Sequence, residues 1–320
     1  MLEVKNLTLY IEKNKTKEYL LNNICFSLNN GESLGIIGKS GAGKSTLAKA
    51  LLKIYDNKVY PETCDVLINN MPFKEDLRGK TISILFQNPN SYLNPLMKIG
   101  KQIDEMLIYH FKLSKKEAKQ KTIELMKKVN FSNPEKLYHY YPHEISGGMQ
   151  QKVCLCIALI CNPQILIIDE GTSYLDPTSK KEILTLIKQF QKEINFTLIM
   201  ISHDLNEIYS MCDKIAIMRN GQMIELGSKD EIILNPIHPY TIEILCDYLR
   251  FYENIEPFVC PLMNIDLVKV ADITTISQTH YVRSHFLDKR AIIPQIPDNF
   301  NKIKEKIYEN LRDEKHKYIL

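Results

Sequence analysis

A glycine-rich stretch that ends in lysine and serine has the composition of a polyphosphate-binding loop. Gly38 and Gly43 enclose four residues, and Lys44 and Ser45 follow directly. Glycines let backbone amides approach phosphate oxygens, and the start of the next helix adds its own amides. We expect Lys44 to hold the β- and γ-phosphates and Ser45 to offer its hydroxyl to Mg²⁺, while Thr46 packs or caps within the first helical turn. The predicted phosphate-binding positions are Gly38, Lys39, Ser40, Gly41, Ala42, Gly43, Lys44, Ser45 and Thr46.

Two adjacent carboxylates end an apolar stretch that begins at residue 165. They are Asp169 and Glu170. Burying two neighbouring acids is costly unless a cation or a reaction uses them. We therefore expect Asp169 to hold Mg²⁺, directly or through water, and Glu170 to act as the general base that polarises an attacking water. The alternative interpretation is that both acids are simply exposed to solvent at a strand end. The phosphate-binding stretch makes this interpretation the weaker one, because such a stretch requires an acid pair.

Two further polar residues follow apolar strands. Gln87 comes after the strand predicted at 81–86, where its amide can reach a metal ion or a water near a nucleotide. His203 comes after the strand predicted at 197–201, where its ring can contact a γ-phosphate or order a water. A lone histidine usually has a structural role. The prediction of a functional role for His203 therefore rests only on its place in this series of strand-end residues.

A second helix start carries small residues suited to an anion. Ser146, Gly147 and Gly148 precede an apolar helix that continues through Ile160. Backbone amides at a helix N-terminus bind phosphate, and glycines leave them accessible. These three residues are therefore candidates for a second nucleotide contact.

The elements that must position these residues predict an α/β protein. Apolar strands lead to each group of polar residues, and a helix-compatible run follows Lys44. Residues 2–11 and 19–28 read as two antiparallel strands ahead of the glycine-rich stretch, and 65–69 as a short strand beyond it. Residues 97–145 change to helical periodicity, which predicts a helical insertion.

Composition excludes several other classes of protein. The 320 residues are 44% hydrophobic and 25% charged, which indicates a globular chain with one large or two modest domains. A net charge of +3 is too small to indicate nucleic acid as a partner. No apolar run reaches the length of a membrane span, and the start of the sequence has no export signal. We therefore expect any membrane role to come through partners.

Together these residues resemble the ATP-binding subunit of an ABC transporter. The family motifs occur in the family's order: Walker A at 38–45, the Q-loop at Gln87, the signature at 145–149, Walker B at 165–170, the D-loop at 173–176 and the H-loop at His203. The resemblance implies a P-loop ATPase with an antiparallel β-subdomain, a helical subdomain and a small C-terminal extension. It also implies ATP and Mg²⁺ as cofactors and Ser45, Gln87 and Asp169 as metal ligands.

Longer runs resemble one branch of that family, the oligopeptide, dipeptide and nickel importers. These runs are 86–95, 142–151 and 235–241. The resemblance implies an ATP-hydrolysing subunit that energises an importer of oligopeptides or dipeptides. Two alternatives stay open: an importer of nickel or a metal chelate, and a soluble ABC ATPase with no role in transport.

The resemblance also implies domains, partners and a location. Residues 1–250 would form the ATP-binding domain, with its helical subdomain at about 89–150, and 251–320 the extension. The expected partners are two membrane-spanning permease subunits, a homologous or identical second ATP-binding subunit and an extracytoplasmic substrate-binding protein, with no nucleic acid. In such a pair Ser146 and the two glycines complete the other subunit's ATP site. The expected location is the cytoplasmic face of the cell membrane, as a peripheral protein.

Three departures from the family pattern stand out. Gly171 occupies the position after the catalytic glutamate where the family usually has proline. Tyr10 is the nearest candidate for stacking on adenine, although Ile11 is an alternative. The tail retains Cys260 but has Ser284 at a family cysteine position, so it lacks the roughly four thiolates that an iron–sulfur cluster needs.

Overall fold

The computed structural model describes residues 1–172, 175–250, 273–275, 277, 279–283, 304–305 and 307–312. The chain divides into two compact units. The first unit comprises Met1–Leu28, Ser33–Pro72 and Ile201–Leu320, and the second comprises Asn29–Glu32 and Phe73–Met200. The predicted polar residues are thus distributed over both units.

The first unit begins with an antiparallel sheet. Its strands are β1 (Leu2–Lys13), β2 (Thr16–Leu28), β4 (Val59–Ile68) and β5 (Met71–Pro72), in the order β2-β1-β4-β5. Strand β3 (Ser33–Ile37) and helix α1 (Lys44–Leu51) lie between β2 and β4 along the chain. Inward-facing residues of β1 are apolar and buried, as expected for a strand with one face on a core. The predicted pair of strands ahead of the glycine-rich stretch is confirmed.

Strand β4 is longer than the sequence predicts. The prediction placed a short strand at 65–69, but β4 begins at Val59 and includes Pro61. Proline lacks an N–H and is tolerated in a strand where one edge is unpaired or at a bulge. The pairing of β5 with β4 involves Leu67 and Ile68 and does not extend to Pro61. The pairing of β1 with β4 changes register between Thr8 and Leu9, and Leu9 is the partner of Pro61. This irregularity accommodates the proline.

The second unit carries the helical insertion and a parallel sheet. Its elements are β6 (Ile82–Leu85), α2 (Ile99–Phe111), α3 (Lys115–Lys128), α4 (Pro134–Leu137), α5 (Gly147–Leu159), β7 (Ile165–Asp169), α6 (Pro177–Ile194) and β8 (Thr197–Ile201). The strand order is β8-β7-β6, and β6 and β7 run parallel. Every residue of β7 is buried, which explains its continuous apolar sequence. No helix in the described part of the chain is long and apolar enough to cross a membrane.

The first unit resumes after β8. Its further elements are α7 (Leu205–Met211), β9 (Lys214–Arg219), β10 (Gln222–Ser228), α8 (Lys229–Leu234), α9 (Pro239–Arg250), β11 (Ile273–Thr275) and β12 (Tyr281–Arg283). Here the strand order is β11-β12-β10-β9-β3, and β3 runs parallel to β9. The α/β fold class with an antiparallel β-sheet and inserted helices is confirmed.

A buried carboxylate anchors the described part of the tail. Glu225 on β10 accepts hydrogen bonds from the backbone N–H groups of Ile237 and His238, both at 2.9 Å, and from the Thr241 hydroxyl at 2.5 Å. His280 Nε2 lies 2.7 Å from Glu225 Oε1. Burial lowers the pKa of His238 to about 4 despite the opposing effect of Glu225. Glu225 thus ties the start of α9 and the approach to β12 to one strand.

Candidate functional site

The predicted phosphate-binding loop connects β3 to α1. Gly41 and Gly43 have φ values of 79° and 97°, a backbone conformation that side chains disfavour. A Cβ atom at Gly38 would collide with the carbonyl oxygen of Met218. The loop is also held from outside, because the Gly221 N–H donates to the Ala42 carbonyl at 2.9 Å. The glycine spacing therefore meets a backbone requirement, as the sequence predicts.

The lysine of this loop is buried inside it. Lys44 Nζ donates to the carbonyl oxygens of Gly38 at 2.7 Å and Lys39 at 3.1 Å. Ser45 is exposed and Thr46 half-buried on the first turn of α1. A Cβ atom at Gly41 would meet no atom within 4 Å, so open space adjoins the loop backbone. A buried ammonium, loop amides and open space fit a polyphosphate.

The structure brings His203 to this loop. His203 is exposed at the end of β8, just before α7. Together with Gly38, Lys39, Asp247 and Tyr248 it lines a cavity of about 470 Å³. The placement of His203 beside the loop supports its predicted contact with a terminal phosphate, which stays a prediction.

Helix α9 holds the loop through contacts that the sequence analysis missed. Lys39 donates its backbone N–H to the Tyr240 hydroxyl at 3.2 Å. Its ammonium forms ion pairs with Glu243, which is buried, and with Asp247 at 3.2 Å. Burial alone would lower the pKa of Lys39, but the hydrogen bonds to these carboxylates outweigh it and raise that pKa. The sequence does carry a signal for these contacts. Glu243 and Asp247 are four residues apart on an amphipathic helix, so they share one helix face.

Replacing Lys39 by methionine should destabilise the nucleotide-free protein by about 1–2 kcal/mol, because a buried carboxylate loses a cation. The measurement is the melting temperature without ATP, expected to fall by about 2–6 °C. Lys49→Met on α1 is the matched control: its partner Asp56 is exposed, and such pairs contribute less than about 1 kcal/mol. Equal melting temperatures for the two variants would show that the ion pairs of Lys39 with α9 do not stabilise the loop.

In the second unit, Gln87 and Glu170 meet. Strands β6 and β7 run parallel, so the residues that follow them lie at the same edge of the sheet. Gln87 Nε2 donates to Glu170 Oε2 at 2.6 Å. Asp169, the last residue of β7, is buried, and Glu170 is half-buried with a left-handed φ of 50°. Such a conformation costs a non-glycine residue about 1–2 kcal/mol and is typical of functional positions.

The predicted signature residues start helix α5. Ser146 caps the helix, because its hydroxyl accepts the Met149 N–H at 3.3 Å. Ser146 and Gly147 are exposed, and an added Cβ atom at Gly147 would meet no atom within 4 Å. At Gly148 the same atom would lie 2.9 Å from the Ser179 hydroxyl. These small residues therefore leave the helix N-terminus accessible, as an anion contact requires.

Other predicted positions are less informative. Tyr10 lies on β1 between the rings of Tyr19 and Tyr60, with Lys17 Nζ 4.3 Å from its ring centre. Its predicted stacking on adenine stays a prediction. Residues 173–174 of the D-loop, and Cys260 and Ser284 of the tail, lie outside the described residues.

Comparison with known proteins identifies the class to which this fold and site belong. Residues 21–173 match the family model described as ABC transporter. The oligopeptide transport ATP-binding protein OppD of Bacillus subtilis strain 168 is 35% identical over 318 residues, which covers 90% of this chain and 89% of OppD. The chain therefore belongs to the ABC transporter family of ATP-binding proteins.

Further relatives agree with the predicted branch. The dipeptide transport ATP-binding protein DppD of Lactococcus lactis subsp. cremoris MG1363 is 33% identical, covering 98% of this chain and 99% of DppD. A dimeric post-hydrolysis structure of the ATP-binding cassette MJ0796, bound to ADP and Pi, has a TM-score of 0.62 at 26% identity and covers 71% of this chain and 98% of that one. The predicted resemblance to the oligopeptide and dipeptide importers is confirmed.

Proposed function

We propose that this chain is the ATP-hydrolysing subunit of an importer of short peptides. The observation that carries hydrolysis is the 2.6 Å hydrogen bond between Gln87 and Glu170, next to the buried Asp169. The peptide cargo is supported by the relatives named for oligopeptide and dipeptide transport, which this chain matches over most of its length.

The residues divide the work of ATP binding. The loop amides and Lys44 bind the phosphates, and Tyr10 stacks on adenine. Mg²⁺ would be held by the oxygens of Ser45, Gln87 and Asp169. Hydroxyl, amide and carboxylate oxygens are the ligands that Mg²⁺ prefers. When bound, Mg²⁺ would neutralise charge on the phosphates.

Glu170 serves as the general base of the reaction. Its carboxylate accepts a proton from water while the water oxygen forms a bond to the γ-phosphorus, and the bond from that phosphorus to the bridging oxygen of ADP breaks. The hydrogen bond from Gln87 fixes the orientation of the carboxylate. His203 donates to an oxygen of the γ-phosphate and steadies it.

A second ATP-binding subunit completes the site. Ser146 and Gly147 are exposed at the N-terminus of α5, where amides and a hydroxyl are available to a ligand outside this chain. We infer that they contact the ATP bound to the Lys44 loop of a homologous or identical partner. The dimeric structure of the similar cassette MJ0796 supports the pairing of two such subunits.

Exposed apolar side chains mark the surface for the permease subunits. Leu96 is 88% exposed and precedes α2. Tyr92 is also exposed, and its ring stacks on Phe86, which directly precedes Gln87. A permease that covers these residues would reach the stretch that carries Gln87. The chain would then lie at the cytoplasmic face of the membrane, and an extracytoplasmic binding protein would deliver the peptide.

Co-expression with the permease subunits tests this function. The chain should sediment with membranes, and binding protein loaded with a short peptide should stimulate ATP hydrolysis, because cargo and hydrolysis are coupled. Leu96→Asp should lose membrane association and stimulation, since it places a charge in an apolar contact. Met71→Asp is the matched control, because Met71 is 69% exposed but lies on β5.

Two results would contradict the proposal. Stimulation by nickel-loaded rather than peptide-loaded binding protein would reassign the cargo. Co-purification with ribosomes independently of membranes would replace the importer by a soluble ATPase.

A further inference from the structure

We propose that Gln151 is a positioning residue that holds Gln87 and Glu170 at the separation that ATP hydrolysis requires. This inference rests on the proposed function. Gln151 lies on α5 and is 1% exposed. Its Nε2 donates to the carbonyl of Gly171 at 2.5 Å and to that of Phe86 at 3.3 Å. One side-chain amide thus joins two segments that are far apart in the sequence.

The two carbonyls flank the residues of the site. Phe86 directly precedes Gln87, and Gly171 directly follows Glu170. The paired residues of β6 and β7 end at Leu85 and Ile168, so the ladder stops short of both functional positions. Beyond that point, the Gln151 amide bridges the two segments. The hydrogen bond between Gln87 and Glu170 therefore depends on a contact outside the strands. We call the two hydrogen bonds from Gln151 to the Phe86 and Gly171 carbonyls the brace.

Burial of the Gln151 side chain has a free-energy cost. Gln151 Oε1 is buried and has no hydrogen-bond partner among the described residues. A buried polar atom without a partner is destabilising, and an apolar residue of similar size would avoid that cost. A Cβ atom added at Gly171 would lie 3.0 Å from Ile168 Cγ2 and 3.2 Å from Leu85 Cδ2, so the turn that receives the amide has little free space. The two hydrogen bonds that Nε2 donates to the Phe86 and Gly171 carbonyls offset this cost.

Gln151→Met tests the brace, because methionine has a similar length and no donor. In the assembled transporter we expect kcat for ATP hydrolysis to fall about 10- to 100-fold, since small displacements of catalytic groups cost this much. KM for ATP should stay within about twofold, because the variant leaves Lys44 and the loop amides, which bind the phosphates, untouched. Hydrogen exchange of the full chain should become faster at 86–88 and 170–172.

Gln191→Met is the matched control. Gln191 is half-buried in the same unit, and its Nε2 bridges the carbonyls of Gly31 at 3.3 Å and Phe196 at 3.4 Å. It removes the same kind of bridge without touching the residues that flank Gln87 and Glu170. We expect kcat within about twofold of wild type and unchanged exchange at 86–88 and 170–172. Gln151→Asn, one methylene shorter, should give an intermediate loss and serves if the methionine variant fails to fold.

The possible outcomes distinguish a failure of the proposed brace from a failure of the proposed function. Unchanged exchange at both stretches in the Gln151 variants would overturn the brace whatever the activity. An unchanged kcat, an equal loss in Gln191→Met, or a loss confined to KM would overturn the positioning role. A wild-type complex that hydrolyses no ATP would refute the proposed function instead, and the exchange measurement would still decide whether the brace exists.

Discussion

Glu170→Gln is expected to slow ATP hydrolysis by about 10²–10⁴-fold, or roughly 3–5 kcal/mol of barrier. Glutamine keeps the shape of the side chain and can still accept the hydrogen bond that Gln87 now donates at 2.6 Å, but it cannot take a proton from water. ATP binding should survive, because the phosphate-binding loop is untouched. The measurement is phosphate release by the variant with its partner subunit present.

Slow hydrolysis should also leave a trapped dimer. If ATP persists between the Lys44 loop of one subunit and Ser146 of the other, size-exclusion chromatography with Mg-ATP should show an ATP-dependent dimer. Glu124→Gln is the matched control and should behave like wild type, because Glu124 is exposed on α3, where its Oε1 accepts the Gln120 amide at 3.0 Å. Unchanged hydrolysis in Glu170→Gln would remove Glu170 from the base role and leave Asp169 or His203 to be tested.

Lys44→Ala should act on binding. Hydrogen bonds to charged groups contribute about 1.5–3 kcal/mol, so ATP affinity should fall roughly 10- to 100-fold, and the protein should stay monomeric with Mg-ATP. The variant also removes the ammonium that bridges the Gly38 and Lys39 carbonyls, which loosens the empty loop. Calorimetric titration with ATP measures the loss.

Lys49→Ala on the same helix is the control for this variant. Lys49 pairs with the exposed Asp56, so its removal should leave ATP affinity within about twofold. Wild-type affinity in Lys44→Ala would place the phosphates elsewhere and would contradict the assignment of residues 38–45 as the phosphate-binding loop.

Local requirements made the loop and its flanking elements predictable. The positive φ values at Gly41 and Gly43 and the start of α1 at Lys44 depend on neighbouring residues, so their spacing is visible in the sequence. The apolar runs of β7 and β8 are likewise local signals of buried parallel strands. The prediction of β4 was too short because the register change that accommodates Pro61 arises from pairing with a distant strand.

By itself, the amino-acid sequence determined the fold class and the spacing from which the phosphate-binding loop and the strand-end site residues are predicted, because these follow from short-range spacing and periodicity. Only the tertiary structure showed that Gln87 contacts Glu170, that the Gln151 amide donates hydrogen bonds to both segments, and that α9 forms an ion pair with Lys39. Hydrogen-bond and ion-pair partners at large sequence separation depend on side-chain directions within a packed fold. Buried amides and carboxylates require hydrogen-bond or ion-pair partners, and packing decides which groups lie close enough to be those partners. The spacing of neighbouring residues in the sequence does not predict them.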